Sequence, residues 1–227
     1  MNKRLVFFGT LVLILLVYGF RQAIFVAPTE VTMGEIQRIF YYHVSSAMVA
    51  FTCFFANLVA SLAYLKSRSP RADAWAAATA EVGVVFCSVV LVTGPLWARP
   101  VWGVWWTWDA RLTSTLLLWL IYISYLLLRR FSAPGQAAVL SAALAIFGSL
   151  DVVFVYMSIR WFRTTHPQPV MGPGGGGLDP AMGRALLVNF IAFLSYATLI
   201  AWQRFGLERR AQLVEERHAL RPAGGTQ

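Results

Sequence analysis

The chain of 227 residues is 58% apolar and only 13% charged, where a soluble domain carries about a quarter charged residues; an ordinary soluble enzyme is excluded. Three near-uncharged runs, 39–65, 112–128 and 185–203, approach or exceed the roughly 18–20 residues a helix needs to cross a bilayer core, so the chain reads as an integral membrane protein. The net charge of +9 would suggest nucleic acid in a soluble chain; here it must lie between the apolar runs, where it reports topology, and no nucleic-acid partner is expected.

Six spans are expected, at about 4–24, 40–65, 75–97, 112–130, 137–159 and 184–205. Leu, Ala and Phe runs without period-two alternation select helices over barrel strands, so the fold class is an all-α membrane bundle. The first span follows a basic start and could be taken for a secretion signal, yet no clear small-x-small site follows before Pro28, and it reads as a retained helix. Residues 1–207 form one membrane domain and 208–227 a cytoplasmic tail, a charged helix with His218 on its surface.

With the N-terminus inside, the inner segments carry 12 of the 19 Lys and Arg residues and the outer segments 7. That excess places both termini in the cytoplasm and the segments 21–39, 97–111 and 160–183 outside.

Along the chain, span two brings His43, about one turn inside its outer end, and Cys53; span three brings Glu81 and Cys87. The cysteines sit where thiols act as small apolar groups, and nothing resembles CxxC or CxxCH, which argues against thiol redox chemistry and against covalent haem c. Glu81 reads as structural, reaching the inner surface or pairing with Arg71. Asp151, in the outer half of span five, stays open between a bond to a neighbouring helix and a functional role.

The outer segment 97–111 reads WARPVWGVWWTWDAR and holds five of the nine tryptophans. An interfacial aromatic belt needs one or two rings per helix end and no interleaved Asp and Arg, so a flat-ligand site is the better account. A porphyrin is such a ligand: its face stacks on indoles and its propionates call for Arg, with Arg111 first and Arg99 and Arg38 behind it. Asp109 is assigned to orienting an Arg or an indole N–H, because a carboxylate beside propionates would repel them.

The last outer segment carries His166 in RTTHPQP. His43 and His166 lie on the same side of the membrane as the tryptophans, as two axial ligands of one haem iron would. The run GPGGGG at 172–177 follows no strand and has no GK[ST], so it reads as a flexible linker rather than a phosphate cradle.

The stretch LVTGPLWARP followed by WGVWWTWDARLT, together with RIFYYHVSSA, SIRWFRTTHPQP and DPAM, resembles the tryptophan-rich haem-handling proteins of cytochrome c biogenesis, and the WDARLT ending resembles the CcmC branch over about 40–205. The resemblance implies a six-span protein of the bacterial inner membrane with its site facing the periplasm, haem b bound non-covalently, and His43 and His166 as axial ligands. It carries the haem-holding and chaperone-engaging motif onto Trp102, Trp105, Trp106, Trp108 and Asp109. The implied partners are the periplasmic haem chaperone CcmE, the ABC-type subunits CcmA and CcmB, and the small subunit CcmD. The implied function is presentation of haem to CcmE for covalent attachment, without an ATPase of its own; a lyase-like part in forming the haem–chaperone bond is left open. Two other readings remain: a haem b electron-transfer subunit between quinone and a periplasmic partner, disfavoured because no His lies at mid-span, and a haem transporter, which would want broken helices and polar residues at the midplane.

Overall fold

The computed structural model describes residues 3–133, 136–166 and 177–219. Six helices are long and apolar enough to cross a membrane: α1 (Lys3–Arg21), α2 (Ile39–Ser67), α3 (Pro70–Trp102), α4 (Ala110–Phe131), α5 (Ala137–Trp161) and α6 (Pro180–Ala219). Among the described residues no strand forms, and the all-α membrane fold is as expected. The helices alternate in direction, so the C-terminal ends of α1, α3 and α5 and the N-terminal ends of α2, α4 and α6 share one end of the bundle. This is the tryptophan end.

Local sequence sets the turns between helices. Arg68, at φ 54°, closes α2, and Pro70 then opens α3 at a position where its missing N–H costs nothing. Gly103, at φ 77°, ends α3 with its N–H on the Arg99 carbonyl, a left-handed residue that favours glycine. At the start of the next helix Asp109 is the N-cap, its side chain accepting from the Leu112 N–H at 2.9 Å.

Two boundaries differ from expectation. Helix α3 runs through Pro95 and Pro100 to Trp102, so the tryptophan-rich segment begins as helix and only 103–109 is loop. In a membrane bundle, neighbouring helices compensate the carbonyls that proline frees. Helix α6 likewise continues past 207 to Ala219, because its Arg, Glu, Ala and Leu residues favour helix and nothing in the stretch breaks it. Within the extension, His218 is exposed, as read.

Lipid offers no hydrophobic drive for helix pairing, so close packing and interhelical hydrogen bonds must supply it. Helix α3 buries a face of small residues, Ala74, Ala76, Ala77, Ala78, Ala80 and Gly83, and packs most extensively on α2. At its centre the rings of Phe54 and Tyr122 stack at 3.8 Å, tilted by 18°. Glycines flank the stack: a Cβ at Gly83 would stand 2.5 Å from Phe54 Cε1, and one at Gly148 would stand 3.1 Å from Tyr122 Cε2. Helix α1 is anchored on α6 by Asn189, whose amide donates to the Gly19 carbonyl at 3.0 Å.

The end opposite the tryptophans is closed by charge. Arg129 of α4 bonds both carboxylate oxygens of Asp73 on α3, at 2.6 and 3.0 Å, and Glu208 of α6 at 3.0 Å. Gln212 adds a donor to Asp73 at 2.9 Å. Glu81 is structural, as expected, but its partner is Arg204 of α6 rather than Arg71. The reason is geometric: α6 lies alongside α3 at that depth, whereas Arg71 is on Glu81's own helix, ten residues away in sequence. Both cysteines are buried and free. Asp151 Oδ2 is buried without a hydrogen-bond partner among the described residues.

Candidate functional site

At the tryptophan end two adjoining spaces open into the bundle. The wider, of about 840 Å³, lies within the roughly 300–1,000 Å³ of ordinary cofactor pockets. A narrower space of about 80 Å³ continues it between α2, α3 and α4. Both are walled by His43, Trp97, Arg111 and His166. The narrower one adds Trp102 and Trp106; the wider one reaches Gln37, Tyr156 and Met182.

His43 is 8% exposed, on the first turns of α2. Its Nδ1 lies 2.8 Å from Thr93 Oγ1, and that hydroxyl donates its single proton to the Val89 carbonyl at 2.7 Å. With that proton on Val89 the hydroxyl accepts from the ring, an arrangement in which Nδ1 carries the imidazole proton and Nε2 keeps its lone pair. That is the tautomer and the outer-sphere hydrogen bond a metal-ligating histidine uses. Gly94 passes close beside the ring, where a Cβ would lie in ordinary contact 3.5 Å from His43 Cε1, and the edge of Trp97 fixes the other flank at 5.8 Å between centroids.

His166 follows the C-terminal end of α5 and walls both spaces. The residue before it is tied to the tryptophan loop: Asp109 Oδ2 accepts from the Thr165 N–H at 3.1 Å and from its hydroxyl at 2.8 Å. The Thr107 and Thr165 hydroxyls meet at 3.1 Å. Burial pushes the Asp109 carboxyl up, but the hydrogen bonds from Leu112, Thr165 and Thr107 outweigh it and hold the group below its usual range. The run 172–177 lies in part outside the described residues, so its reading as a linker stands as an expectation.

Arg111 is the cation at the wall. Its guanidinium donates to the Val155 carbonyl at 2.8 Å, and among the described residues it forms no ion pair with a carboxylate. Arg38 is placed differently: it pairs with Glu35 and donates to the Ala23 and Ala27 carbonyls at 2.7 and 3.2 Å, closing the end of the first span. It is not among the residues that wall the two spaces. Arg99 folds back on the Gly103 carbonyl.

The tryptophans divide into two sets. Trp97 and Trp106 are turned inward, and the indole N–H of each is buried with no acceptor among the described residues. Trp102 stands at the rim, 39% exposed, 6.5 Å from Trp97 between ring centroids. Trp105 and Trp108 face outward, 57% and 74% exposed. Among the described residues Asp109 makes no hydrogen bond to an arginine or an indole; its oxygens cap α4 and hold Thr165, while its charge acts on Arg111 through space.

Two wall residues, Trp97 and Gln37, were not singled out as ligand contacts in the sequence, nor was Thr93, which stands behind His43. Trp97 stands inside the motif and could have been found there. Thr93 and Gln37 carry no local signal, because their importance comes from the helix they face.

Fold and site define a multi-pass helical membrane protein with an apolar, tryptophan-lined, two-histidine cavity at one end. Comparison with known proteins carries this further. The family model described as Heme exporter protein C (CcmC) matches residues 1–220. A Heme exporter protein C of Bradyrhizobium diazoefficiens is 38% identical over 92% of this chain and 81% of its own length. The Heme exporter protein C of Escherichia coli K12 is 31% identical over 84% of this chain and 79% of its own. A putative cytochrome c biosynthesis ccmC-like mitochondrial protein of Marchantia polymorpha is 31% identical over 77% and 73%. The chain belongs to the Heme exporter protein C family.

Proposed function

We propose that this protein handles haem for cytochrome c maturation, holding haem b non-covalently at the outer face of the bacterial inner membrane and presenting it to the periplasmic chaperone CcmE. The observation that carries the reading is the pairing of His43 and His166 across one cavity, with the His43 Nε2 lone pair freed by the Thr93 hydrogen bond. Among the described residues no group of three or more His, Cys, Asp or Glu side chains could hold a bare ion. Two histidines therefore suit an iron whose other ligands come from a macrocycle.

The other walls fit the same ligand. Trp97, Trp102 and Trp106 offer apolar ring surface, and Arg111, which has no ion-pair partner among the described residues, offers a propionate its charge-assisted partner. Gln37 adds an amide in the wider space, and Arg38 stands behind that edge. Trp105, Trp108 and Val104 form an exposed apolar face beside the cavity, suited to the chaperone. The ABC-type subunits CcmA and CcmB and the small CcmD complete the assembly in this reading.

Orientation follows from charge. Among the described residues the end opposite the tryptophans carries 11 Lys and Arg and the tryptophan end 7, which supports a cytoplasmic location for the former. Both histidines lie at one end of the bundle and not at its middle, which favours presentation at a face over electron transfer across the bilayer. The chemistry at the carbon that becomes bonded to the chaperone belongs to haem, while this chain supplies ligation, orientation and access.

The test is the absorption spectrum of protein purified with haem. A low-spin two-histidine spectrum is expected, and it should collapse in the His43→Ala/His166→Ala double variant. A double variant that keeps the normal spectrum would overturn the ligand assignment.

A further inference from the structure

His43 and His166 are held in different ways. The first is locked within a helix, its ring fixed by Thr93 and Trp97. The second lies beyond the end of α5, where the chain has left helix. The backbone just before it is gripped from another segment: Asp109 Oδ2 takes both the N–H and the hydroxyl of Thr165, at 3.1 and 2.8 Å, and Thr107 Oγ1 stands 3.1 Å from the same hydroxyl. Asp109 is itself immobilised, because its other oxygen caps α4. A carboxylate that accepts a backbone N–H and a hydroxyl of one residue fixes the position and the rotation of that peptide together.

We propose that Thr165 is a positioning residue for the haem ligand His166, acting through Asp109, and that this clasp makes His166 the ligand whose hold on the iron is set by the tryptophan loop. The inference rests on the two-histidine reading above. Its physical basis is preorganisation: a ligand on a loop must lose conformational freedom to bind, and the clasp removes part of that freedom in advance. The segment 103–109 that bears Asp109 also bears the outward Trp105 and Trp108, so a shift of that loop reaches His166 through two hydrogen bonds. Among the described residues no hydrogen bond links the loop to His43, whose outer-sphere partner Thr93 lies in the interior of α3.

The experiment uses the full-length haem-loaded protein in detergent and reads the spin state and the affinity for added imidazole, which competes for the coordination position of His166. Thr165→Val keeps the shape of the side chain and removes the hydroxyl donor. In it, imidazole should bind about tenfold more tightly than in the unaltered protein, with a rise in high-spin haem; tenfold corresponds to 1.4 kcal/mol. Thr165→Ser, which keeps the hydroxyl, should restore the original behaviour. An unchanged imidazole affinity and spin state in Thr165→Val would overturn the proposal, as would a Thr165→Ser variant that behaves like Val. The two levels separate cleanly: a His43→Ala/His166→Ala variant that keeps its low-spin spectrum defeats the ligand reading itself. Loss of that spectrum together with a silent Thr165→Val defeats only the clasp.

Discussion

The Thr93 hydroxyl lies 2.8 Å from His43 Nδ1 and 2.7 Å from the Val89 carbonyl, so one hydroxyl proton links the imidazole tautomer to the α3 backbone. Thr93→Val keeps the volume and removes the acceptor. Outer-sphere partners of metal-bound histidines are worth about 10–100-fold in affinity, so haem titration of the apo-protein should show a loss in that range. Thr93→Ser, which keeps the hydroxyl, should fall close to the unaltered protein.

Arg111 has carbonyl partners but forms no ion pair among the described residues, which leaves its charge available to an anionic edge of the ligand. A hydrogen bond to a charged group is worth about 1.5–3 kcal/mol. Arg111→Met should therefore weaken haem binding by about 10–150-fold while leaving the binding of haem dimethyl ester little changed. Equal losses for the free acid and the ester would show that the guanidinium does not meet a propionate.

The six helices were legible because runs without charge can be counted against bilayer thickness, and the tryptophan end because alternating helices carry His43, His166 and the WWTWDAR segment to one side. The helix ends were less so: the third span was expected to end near 97, yet the helix persists to Trp102, and left-handed Gly103 ends it. The role of Asp109 was hidden for a different reason. Its partner Thr165 is 56 residues away, and no local pattern reports a contact that exists only once α4 and α5 have packed. Thr93 and Gly83 were silent in the same way, each defined by the ring it faces on α2.

Gly83 makes a prediction about the bundle itself. A methyl at this position would stand 2.5 Å from Phe54 Cε1, and Phe54 cannot retreat because Tyr122 stacks on it at 3.8 Å with Gly148 behind. Overpacking of a tight core costs about 1–3 kcal/mol. Gly83→Ala should lower the Tm in detergent measurably. Gly9→Ala, where a Cβ meets nothing within 4 Å, should leave it unchanged.

The Asp109 carboxyl gives a pH dependence of known sign. Burial raises it, but hydrogen bonds from Leu112, Thr165 and Thr107 prevail, so its folded value lies below the usual aspartate range near 4. A depressed folded value means the contribution to stability is present above the unfolded value and is lost as pH falls through the folded one. The Tm difference between the unaltered apo-protein and Asp109→Asn should stay constant from pH 8 to about 5 and shrink only below about 4. Shrinkage beginning near pH 6 would contradict the hydrogen-bonded carboxylate.

Trp105 and Trp108 separate docking from ligand binding. They stand 57% and 74% exposed on the loop 103–109 and do not wall the cavity, whereas Trp97, Trp102 and Trp106 do. Exposed tryptophans beside a binding site are typical anchors of a protein interface, where truncating one costs about 2 kcal/mol or more, a factor of about 30. Trp105→Ala should keep the haem spectrum of the unaltered protein while weakening co-purification with the haem chaperone by about that factor. Trp108→Ala, which removes a ring that meets the wall residue Trp106 edge-on at 5.7 Å, should weaken it likewise with a small spectral change. Trp106→Ala, which opens the inner wall, should instead alter the haem spectrum first. If the outer pair changed the spectrum and left the chaperone complex intact, the division of the motif into an inner ligand wall and an outer docking face would have to be reversed.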